Sequence, residues 1–160
     1  MLLFRKRPKV ISVYCDGAIG DERRAAGVGV VIRDEQNEII GLVKRGLPPM
    51  TNNEAEYAAL TLALEAVKPL QPQALKIYMD SEVVVGQMRG RFAVNSAALK
   101  RWHTQACQLA RRFREISYIH IPREVNRLAD ALANEALVEE TRRRGREADG
   151  KQGSKSQRTR

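Results

Sequence analysis

Four acidic residues of this chain occupy positions that packing alone does not explain. Asp16 and Asp80 each follow a short segment of alternating apolar residues that is typical of a β-strand. Glu56 and Asp130 fall on the apolar faces of two helix-like segments. Carboxylates that converge without cations raise one another's pKa values and destabilise a fold, so this set predicts a site for divalent metal ions.

The segment TNNEAEYAAL, residues 51–60, contains two glutamates with different expected roles. Thr51 followed three residues later by Glu54 is a capping box, in which each side chain binds a backbone N–H at the start of a helix. Glu56 instead shares a helix face with apolar residues, namely Leu60, Ala63 and Val67. We therefore assign Glu54 to structure and Glu56 to chemistry.

An acid-only set of ligands favours a hard cation over zinc. Mg²⁺ prefers oxygen ligands and retains several waters, and no cluster of His or Cys residues competes for zinc in this sequence. Two such ions, bridged by a carboxylate, stabilise both the attacking and the leaving oxygen of an in-line phosphoryl displacement. The expected cofactor is two Mg²⁺ ions, with Mn²⁺ as a substitute, and the expected chemistry is that of a nuclease.

The order of the predicted elements indicates how these acids come together. Strands are expected at residues 10–15, 28–33, 39–44, 75–79 and 116–121, and helices at 51–67, 81–88, 95–113 and 125–140. Three antiparallel strands followed by alternating helices and strands predict an α/β fold, with a five-stranded mixed sheet in the order 3-2-1-4-5 and helices on both faces. Strands one and four are then parallel neighbours, and their carboxyl ends, with Asp16 and Asp80, form the switch point where ligands bind.

The net charge of +9 is concentrated at the ends of the chain. Residues 141–160 contain eight Lys or Arg residues against two acidic ones, and residues 1–9 contain four basic residues. We expect a basic N-terminal arm (1–9), a catalytic domain (10–140) and a basic, disordered tail (141–160). Basic ends suit a polyanion such as nucleic acid, although tails that only promote solubility have the same composition.

Two features of the composition bear on the setting of the protein. Cys15 and Cys107 are far apart in sequence, which favours a reducing compartment. No apolar run is long enough to span a membrane. We expect a cytoplasmic monomer with no membrane partner.

Four motifs together resemble type 1 ribonuclease H. They are YCDGA at 14–18, TNNEAEYAAL at 51–60, MDSE at 79–82 and PREVNRLADALAN at 122–134, and the resemblance covers residues 10–138. It implies a ribonuclease H-like fold and Mg²⁺-dependent hydrolysis of the RNA strand of an RNA–DNA hybrid, leaving 3′-hydroxyl and 5′-phosphate ends. Nucleic acid, in the form of this hybrid, is the implied partner.

The resemblance also implies roles for individual residues. The four-acid site falls on Asp16, which would bridge two metal ions, on Glu56 and Asp80, which would complete one coordination sphere, and on Asp130, which would hold the other. Further residues are expected to bind substrate: Asn52 and Asn53 in the minor groove of the hybrid, together with Gly17, Thr51 and Asn126. Recognition through 2′-hydroxyls and phosphates predicts little sequence preference.

Three departures from the family pattern leave details open. The loop after the first aspartate reads AIGDERRAAG, which leaves open whether it makes the substrate contact that many members make there. The passage from residue 88 to 116 is too short for the basic protrusion of many bacterial members. Where the family has a mobile histidine that assists catalysis or product release, this chain reads HIPRE, and we assign the role to Arg123 in preference to His120.

Two other functions are compatible with the same residues. The chain could be a non-catalytic nucleic-acid-binding module of the same fold, although four converging carboxylates would repel phosphate. It could also be a two-metal nuclease that acts on double-stranded RNA. Comparing hybrid, RNA duplex and DNA duplex as substrates distinguishes these possibilities.

Overall fold

The computed structural model describes residues 7–22 and 24–156. The strands are β1 (Val10–Ile19), β2 (Ala26–Arg33), β3 (Ile39–Leu47), β4 (Ala74–Met79) and β5 (Glu115–His120), and the α-helices are α1 (Asn52–Val67), α2 (Glu82–Met88), α3 (Ala97–Ala110) and α4 (Arg127–Ser156). Two 3₁₀ turns, Lys68–Leu70 and Arg123–Val125, follow α1 and precede α4. Residues 1–6 of the predicted arm and residues 157–160 of the predicted tail lie outside the described residues.

The sheet confirms the predicted topology. Its order is β3-β2-β1-β4-β5, with β1, β2 and β3 antiparallel and with β4 parallel to both β1 and β5. Helix α1 packs on β1 and α3, whereas α4 packs mainly on β2 and β3. Helices therefore cover both faces, and β1 and β4 are parallel neighbours at the predicted switch point.

Strand β1 is longer than the sequence predicted, because it continues through Asp16 to Ile19. The extension pairs with the start of β2, where Asp16 lies opposite Gly29 and Ile19 lies opposite Ala26. The loop that the sequence placed at 18–27 is correspondingly shorter. Alternation of side chains did not reveal this extension, because Gly17 and Ala18 carry little apolar surface.

Helix α1 is buried along almost its whole length. It lies between the sheet and α3, and its large side chains Tyr57, Leu60 and Leu64 are at most 1% exposed. Tyr57 Oη donates to Gln87 Oε1 of α2 at 2.7 Å, which satisfies the phenol inside the core. This packing fixes α1 against β1 and so positions any side chain that α1 presents to the sheet.

Helix α3 begins later and ends earlier than the pattern indicated. Ser96 caps its first turn by accepting from the Leu99 N–H at 3.4 Å, and the helix ends at Ala110. Phe113, which the periodicity placed on the helix stripe, lies beyond the helix and still packs against the core. The helical spacing of apolar residues extends past the end of the helix in the sequence, because the turn that follows the helix covers the same core.

Helix α4 continues well past the predicted boundary at residue 140. The sequence predicted disorder from residue 141, but the helix extends to Ser156. Ion pairs at helical spacing support the extension, because Glu140 binds Arg143 and Arg144, and Arg143 also binds Glu147. At 30 residues α4 is the longest helix, yet neither it nor any other helix in the described part of the chain is apolar enough to cross a membrane.

Candidate active site

Asp16 and Asp80 lie on adjacent parallel strands at the centre of the sheet. Asp16 lies within β1 and is only 4% exposed. Asp80 directly follows Met79, the last residue of β4. The parallel pairing of β1 with β4 brings the two carboxylates together, as the sequence predicted.

The start of α1 is fixed by the predicted capping box. Thr51 Oγ1 accepts from the Glu54 N–H at 3.3 Å, and the Glu54 carboxylate accepts from the Thr51 N–H at 2.9 Å. These bonds hold Glu54 at the surface and lower its pKa. Glu56, two residues later, is 5% exposed and faces the sheet.

Helix α1 approaches β1 closely because residue 17 is glycine. A Cβ atom at Gly17 would lie 2.4 Å from the carbonyl carbon of Ala55, which is inside any acceptable contact distance. The missing side chain therefore allows the backbone of α1 to rest on the strand beside Asp16. This contact brings Glu56 to the acid pair, and it is the structural role of Gly17, which the sequence assigned to substrate binding.

Asp16, Glu56 and Asp80 form a compact carboxylate cluster. One oxygen from each residue lies within 4.8 Å of the other two. Burial, followed by repulsion from Asp16 and Asp80, raises the pKa of Glu56, and burial followed by repulsion from Asp80 raises the pKa of Asp16. Burial also raises the pKa of Asp80, although Arg123 and the side chain of Asn126 oppose that rise.

The cluster fits a hard divalent cation. Glu56 Oε2 is fully buried and has no hydrogen-bond partner among the described residues. A buried carboxylate oxygen without a donor is costly, and a metal ion would satisfy it while removing the mutual repulsion of the acids. The ligand set consists only of oxygens, which is the set that Mg²⁺, Mn²⁺ or Ca²⁺ takes.

Asp130 lies beside this cluster but is not as tightly grouped. It is in the first turn of α4, its side chain is 31% exposed, and it contributes to raising the pKa of Asp16. Asn134 Nδ2 donates to the Asp130 carboxylate at 3.1 Å and to the Asp130 backbone carbonyl at 2.9 Å. The four predicted acids therefore share one site, with three packed together and the fourth at its edge.

The acids line an open cleft of about 330 Å³. Its walls are polar and come from β1, α1, α4 and the segments that follow β4 and β5. The lining residues are Asp16, Gly17, Ala18, Ile19, Asn52, Glu56, Asp80, Ser81, Arg123, Asp130 and Asn134. The four acids therefore face one shared polar space.

Arg123 and His120, the two candidates for an assisting residue, both lie near Asp80. Arg123 is in the 3₁₀ turn before α4, its side chain is 78% exposed, and its Nη2 is 3.6 Å from Asp130 Oδ1. His120 is the last residue of β5, as expected, and its ring Nε2 is 3.3 Å from the Asp80 carbonyl oxygen. Of the two, only Arg123 lines the cleft.

Asn126 has a different position from the one the sequence assigned to it. It is 1% exposed, and its Nδ2 donates to the Cys15 carbonyl oxygen at 3.0 Å. Its amide also lies close to Asp80 and lowers the pKa of that carboxyl. In this position the amide of Asn126 joins β1 to the start of α4, and its role in substrate binding stays a prediction.

The remaining predicted substrate-binding residues lie at the start of α1. Asn52 is exposed and lines the cleft, and Asn53 is half-buried beside it. Thr51 is exposed, but its hydroxyl is already engaged with Glu54 in the capping box. Asn52 is therefore the member of this group that the geometry places nearest the acids.

Asn134 is a residue of the cleft that sequence reasoning did not single out. It lies four residues after Asp130, which places both side chains on one face of α4. That spacing was readable in the sequence. The signal was missed because an asparagine on a helix is usually an ordinary surface residue.

Comparisons with known proteins agree with this geometry. A family model described as reverse transcriptase-like matches residues 14–136. Ribonuclease HI of Halobacterium salinarum is 36% identical over 127 residues, which is 79% of this chain and 64% of the relative. A bifunctional protein of Mycobacterium tuberculosis is 34% identical over 128 residues, which is 79% of this chain and 35% of the relative. The chain thus spans between about a third and two thirds of the length of these curated relatives.

Solved structures resemble the whole folded body. The N-terminal RNase H domain of a Mycobacterium tuberculosis protein, solved as a fusion with maltose-binding protein, has a TM-score of 0.79 and 32% identity, with 84% of this chain and 97% of that one covered. LC11-RNase H1, solved in complex with an RNA/DNA hybrid, has a TM-score of 0.76 and 34% identity, with 81% and 97% covered.

Proposed function

We propose that this chain, which belongs to the type 1 ribonuclease H family, is an endoribonuclease that hydrolyses the RNA strand of RNA–DNA hybrids and leaves 3′-hydroxyl and 5′-phosphate ends. The observation that carries the proposal is the buried cluster of Asp16, Glu56 and Asp80 in an open polar cleft with Asp130 at its edge. The hybrid bound to LC11-RNase H1 supports the substrate class. A binding module would gain nothing from acids that repel phosphate.

The proposed cofactor is Mg²⁺, two ions per site, with Mn²⁺ as a substitute. Asp16, Glu56, Asp80 and Asp130 would hold the ions, because their oxygens suit hard cations and one oxygen of Glu56 has no donor. When bound, the ions supply Lewis-acid activation of the phosphodiester and of the attacking water. Asp16 is the central ligand in this proposal, since the other three acids all perturb its pKa.

Other residues orient the acids and the substrate. Asn134 fixes the carboxylate of Asp130, and the amide of Asn126 beside Asp80 favours the ionised form of that carboxyl by lowering its pKa. Arg123 carries a guanidinium group, so its contribution is to attract phosphate and to stabilise developing negative charge. We assign the assisting role to Arg123 and not to His120, because Arg123 is exposed in the cleft.

Substrate recognition is proposed to begin at the first turn of α1. Asn52 and Asn53 offer amide donors and acceptors beside the acid cluster, which suits contacts to base edges and 2′-hydroxyls in a minor groove. Such contacts favour a hybrid over a DNA duplex, because only the RNA strand has 2′-hydroxyls. They also predict little dependence on sequence.

The proposed setting is a monomer in a reducing, cytoplasmic compartment. All four acids and the first turn of α1 come from one chain, so a second copy is not needed to complete the site. Cys15 is buried and Cys107 is half-buried, and both are free thiols.

The experiment is a comparison of labelled RNA–DNA hybrid, RNA duplex and DNA duplex as substrates of the full chain in Mg²⁺. We expect cleavage of the RNA strand of the hybrid alone, and loss of that cleavage on removal of metal. Asp80→Asn should abolish cleavage. Glu54→Gln, which alters an acid of α1 that lies outside the cleft, should retain it.

Each outcome of this comparison decides a point. Binding of the hybrid with no cleavage in any metal would support the non-catalytic alternative, and cleavage of the RNA duplex would support the other alternative. Full activity of Asp80→Asn would refute the assignment of the site.

A further inference from the structure

The last part of α4 projects beyond the sheet as a basic helix, residues 141–156, which we call the basic arm. Its basic residues are Arg142, Arg143, Arg144, Arg146, Lys151 and Lys155, and its acidic residues are Glu147 and Asp149. The arm is a continuation of the helix that carries Asp130, so it has a defined direction relative to the cleft.

The contacts of α4 show which end of the sheet the arm leaves. The helix passes over Gly29 at Ala129 and over Gly27 at Ala133, and Glu140 then rests against Gly46 near the end of β3. Strand β3 ends at the next residue, and the chain then leads to the start of α1. The arm therefore emerges at the end of the molecule that carries Asn52 and the open cleft.

Glu140 anchors the arm at the point where it leaves the sheet. Its side chain is only 10% exposed, and it accepts from Arg143 and Arg144 at 2.6 Å. Arg143 is also paired with Glu147. The charges of Arg143 and Arg144 are therefore paired with acidic residues of the same helix.

Arg142 and Arg146 are in a different situation. Both are exposed, and neither has an acidic partner within 4 Å among the residues that the structure describes. Being four residues apart, they lie on one face of the helix and reinforce each other's positive potential. A pair of unneutralised arginines on a supported helix suits binding of phosphate groups.

The distance from the acids to this pair matches the dimensions of a duplex. At about 1.5 Å per residue, Arg142 and Arg146 lie roughly 18 and 24 Å along the helix axis from Asp130. One turn of duplex spans roughly 34 Å, so the pair lies about half a turn to two thirds of a turn from the cleavage site. A duplex that enters the cleft and runs alongside α4 therefore passes the arm.

We infer that the basic arm binds backbone phosphates of the duplex about half a turn away from the scissile phosphate, with Arg142 and Arg146 as its contacts. This inference rests on the proposed function for the identity of the duplex as a hybrid. The arm supplies affinity and leaves the chemistry unchanged.

The test uses the full chain with Arg142→Ala and Arg146→Ala combined. Because the contacts are to phosphates, KM for a long hybrid should rise and kcat should stay constant. The slope of log affinity against log salt should become shallower by about two in the double variant. The ratio of the affinity of the unaltered chain to that of the double variant should therefore fall about tenfold between roughly 50 and 200 mM salt. Fluorescence anisotropy with a DNA duplex should show the same loss of slope, since phosphates are common to both duplexes.

The matched control is the combination of Arg111→Ala and Arg112→Ala. These two exposed arginines follow α3 and precede β5, whose first residue lies at the opposite end of the sheet from Asp80. The control removes the same charge but should leave KM and salt slope close to those of the unaltered chain. Circular dichroism should show that both double variants are folded.

A second measurement uses the length of the substrate. Hybrids that extend only a few base pairs beyond the cleavage site cannot reach the arm, so the arm variant and the unaltered chain should cleave them equally. Equal KM and equal salt slope of the arm variant and the unaltered chain on long hybrids would overturn the inference, and so would equal losses in arm and control variants. If the unaltered chain cleaves no hybrid, the proposed function fails, and the DNA-duplex salt slopes still decide whether the arm binds phosphates.

Discussion

Replacing Glu56 by Gln should stabilise the metal-free protein at neutral pH while abolishing its activity. The pKa of Glu56 is raised from its ordinary 4.5 by burial and by two neighbouring carboxylates. An acid with a raised pKa in the folded state keeps its proton when the unfolded chain has released it. Stability is then highest at low pH and is lost as pH rises above the unfolded value.

The expected magnitude follows from the proton that the folded state retains. Each pH unit over which only the folded protein holds that proton lowers the free energy of unfolding by about 1.4 kcal/mol. The range from about pH 5 to pH 7 therefore lowers it by roughly 2–3 kcal/mol. In a chain of this size that corresponds to a change in Tm of roughly 5–10 °C. Gln is nearly the same shape as Glu and does not titrate, so this loss should be absent in the variant.

The assay is thermal or urea unfolding in a chelator at mildly acidic and neutral pH, for the unaltered chain, Glu56→Gln and Glu54→Gln. Glu54 has a lowered pKa because it accepts from the Thr51 N–H, so its contribution has the opposite sign and its replacement should reduce stability at neutral pH by less than about 1 kcal/mol. Added Mg²⁺ should stabilise the unaltered chain more than Glu56→Gln. If Glu56→Gln is no more stable than the unaltered chain in chelator at neutral pH, the argument that burial and the neighbouring acids raise the pKa of Glu56 is wrong.

Three further substitutions probe the supports of the site. Gly17→Ala should force α1 away from β1, because the new methyl would meet the Ala55 carbonyl, and urea unfolding should show a loss of about 1–3 kcal/mol with reduced cleavage. Asn126→Ala should cost about 1–3 kcal/mol by leaving the Cys15 carbonyl oxygen without its donor, and an unchanged unfolding midpoint would contradict the proposed bracing role. Arg123→Ala should lower kcat with stability unchanged, as judged by steady-state cleavage beside a melting curve, and an unaltered kcat would shift attention to His120.

The topology and the acid cluster were predictable from the sequence because both depend on strong local signals. The capping box of Thr51 and Glu54 fixes the phase of α1, and that phase alone places Glu56 toward the sheet. Alternating segments before Asp16 and Asp80 identified the two central strands. The order of helices and strands then left one right-handed arrangement, in which those strands are adjacent.

The structural features that the sequence did not predict depend on contacts that local patterns do not show. The buried position of Asn126 results from the meeting of β1, β4 and α4, which are far apart in sequence. The helical state of residues 141–156 was missed because their composition is polar and glycine-containing, and the ion pairs of Arg143 count only once a helix exists. The close approach at Gly17 likewise became visible only when α1 was placed on the strand.

The continuity of α4 couples the angular position of the arm to the active site. Asp130 and Arg142 belong to one uninterrupted helix, so each residue between them sets a rotation of about 100° as well as an advance along the axis. Inserting one residue between Leu137 and Glu140 would turn the face with Arg142 and Arg146 by more than a quarter turn, whereas inserting seven would restore its direction to within about 20°. The segment of α4 between Asp130 and Arg142 therefore fixes both the distance and the direction of the basic arm relative to the acid cluster.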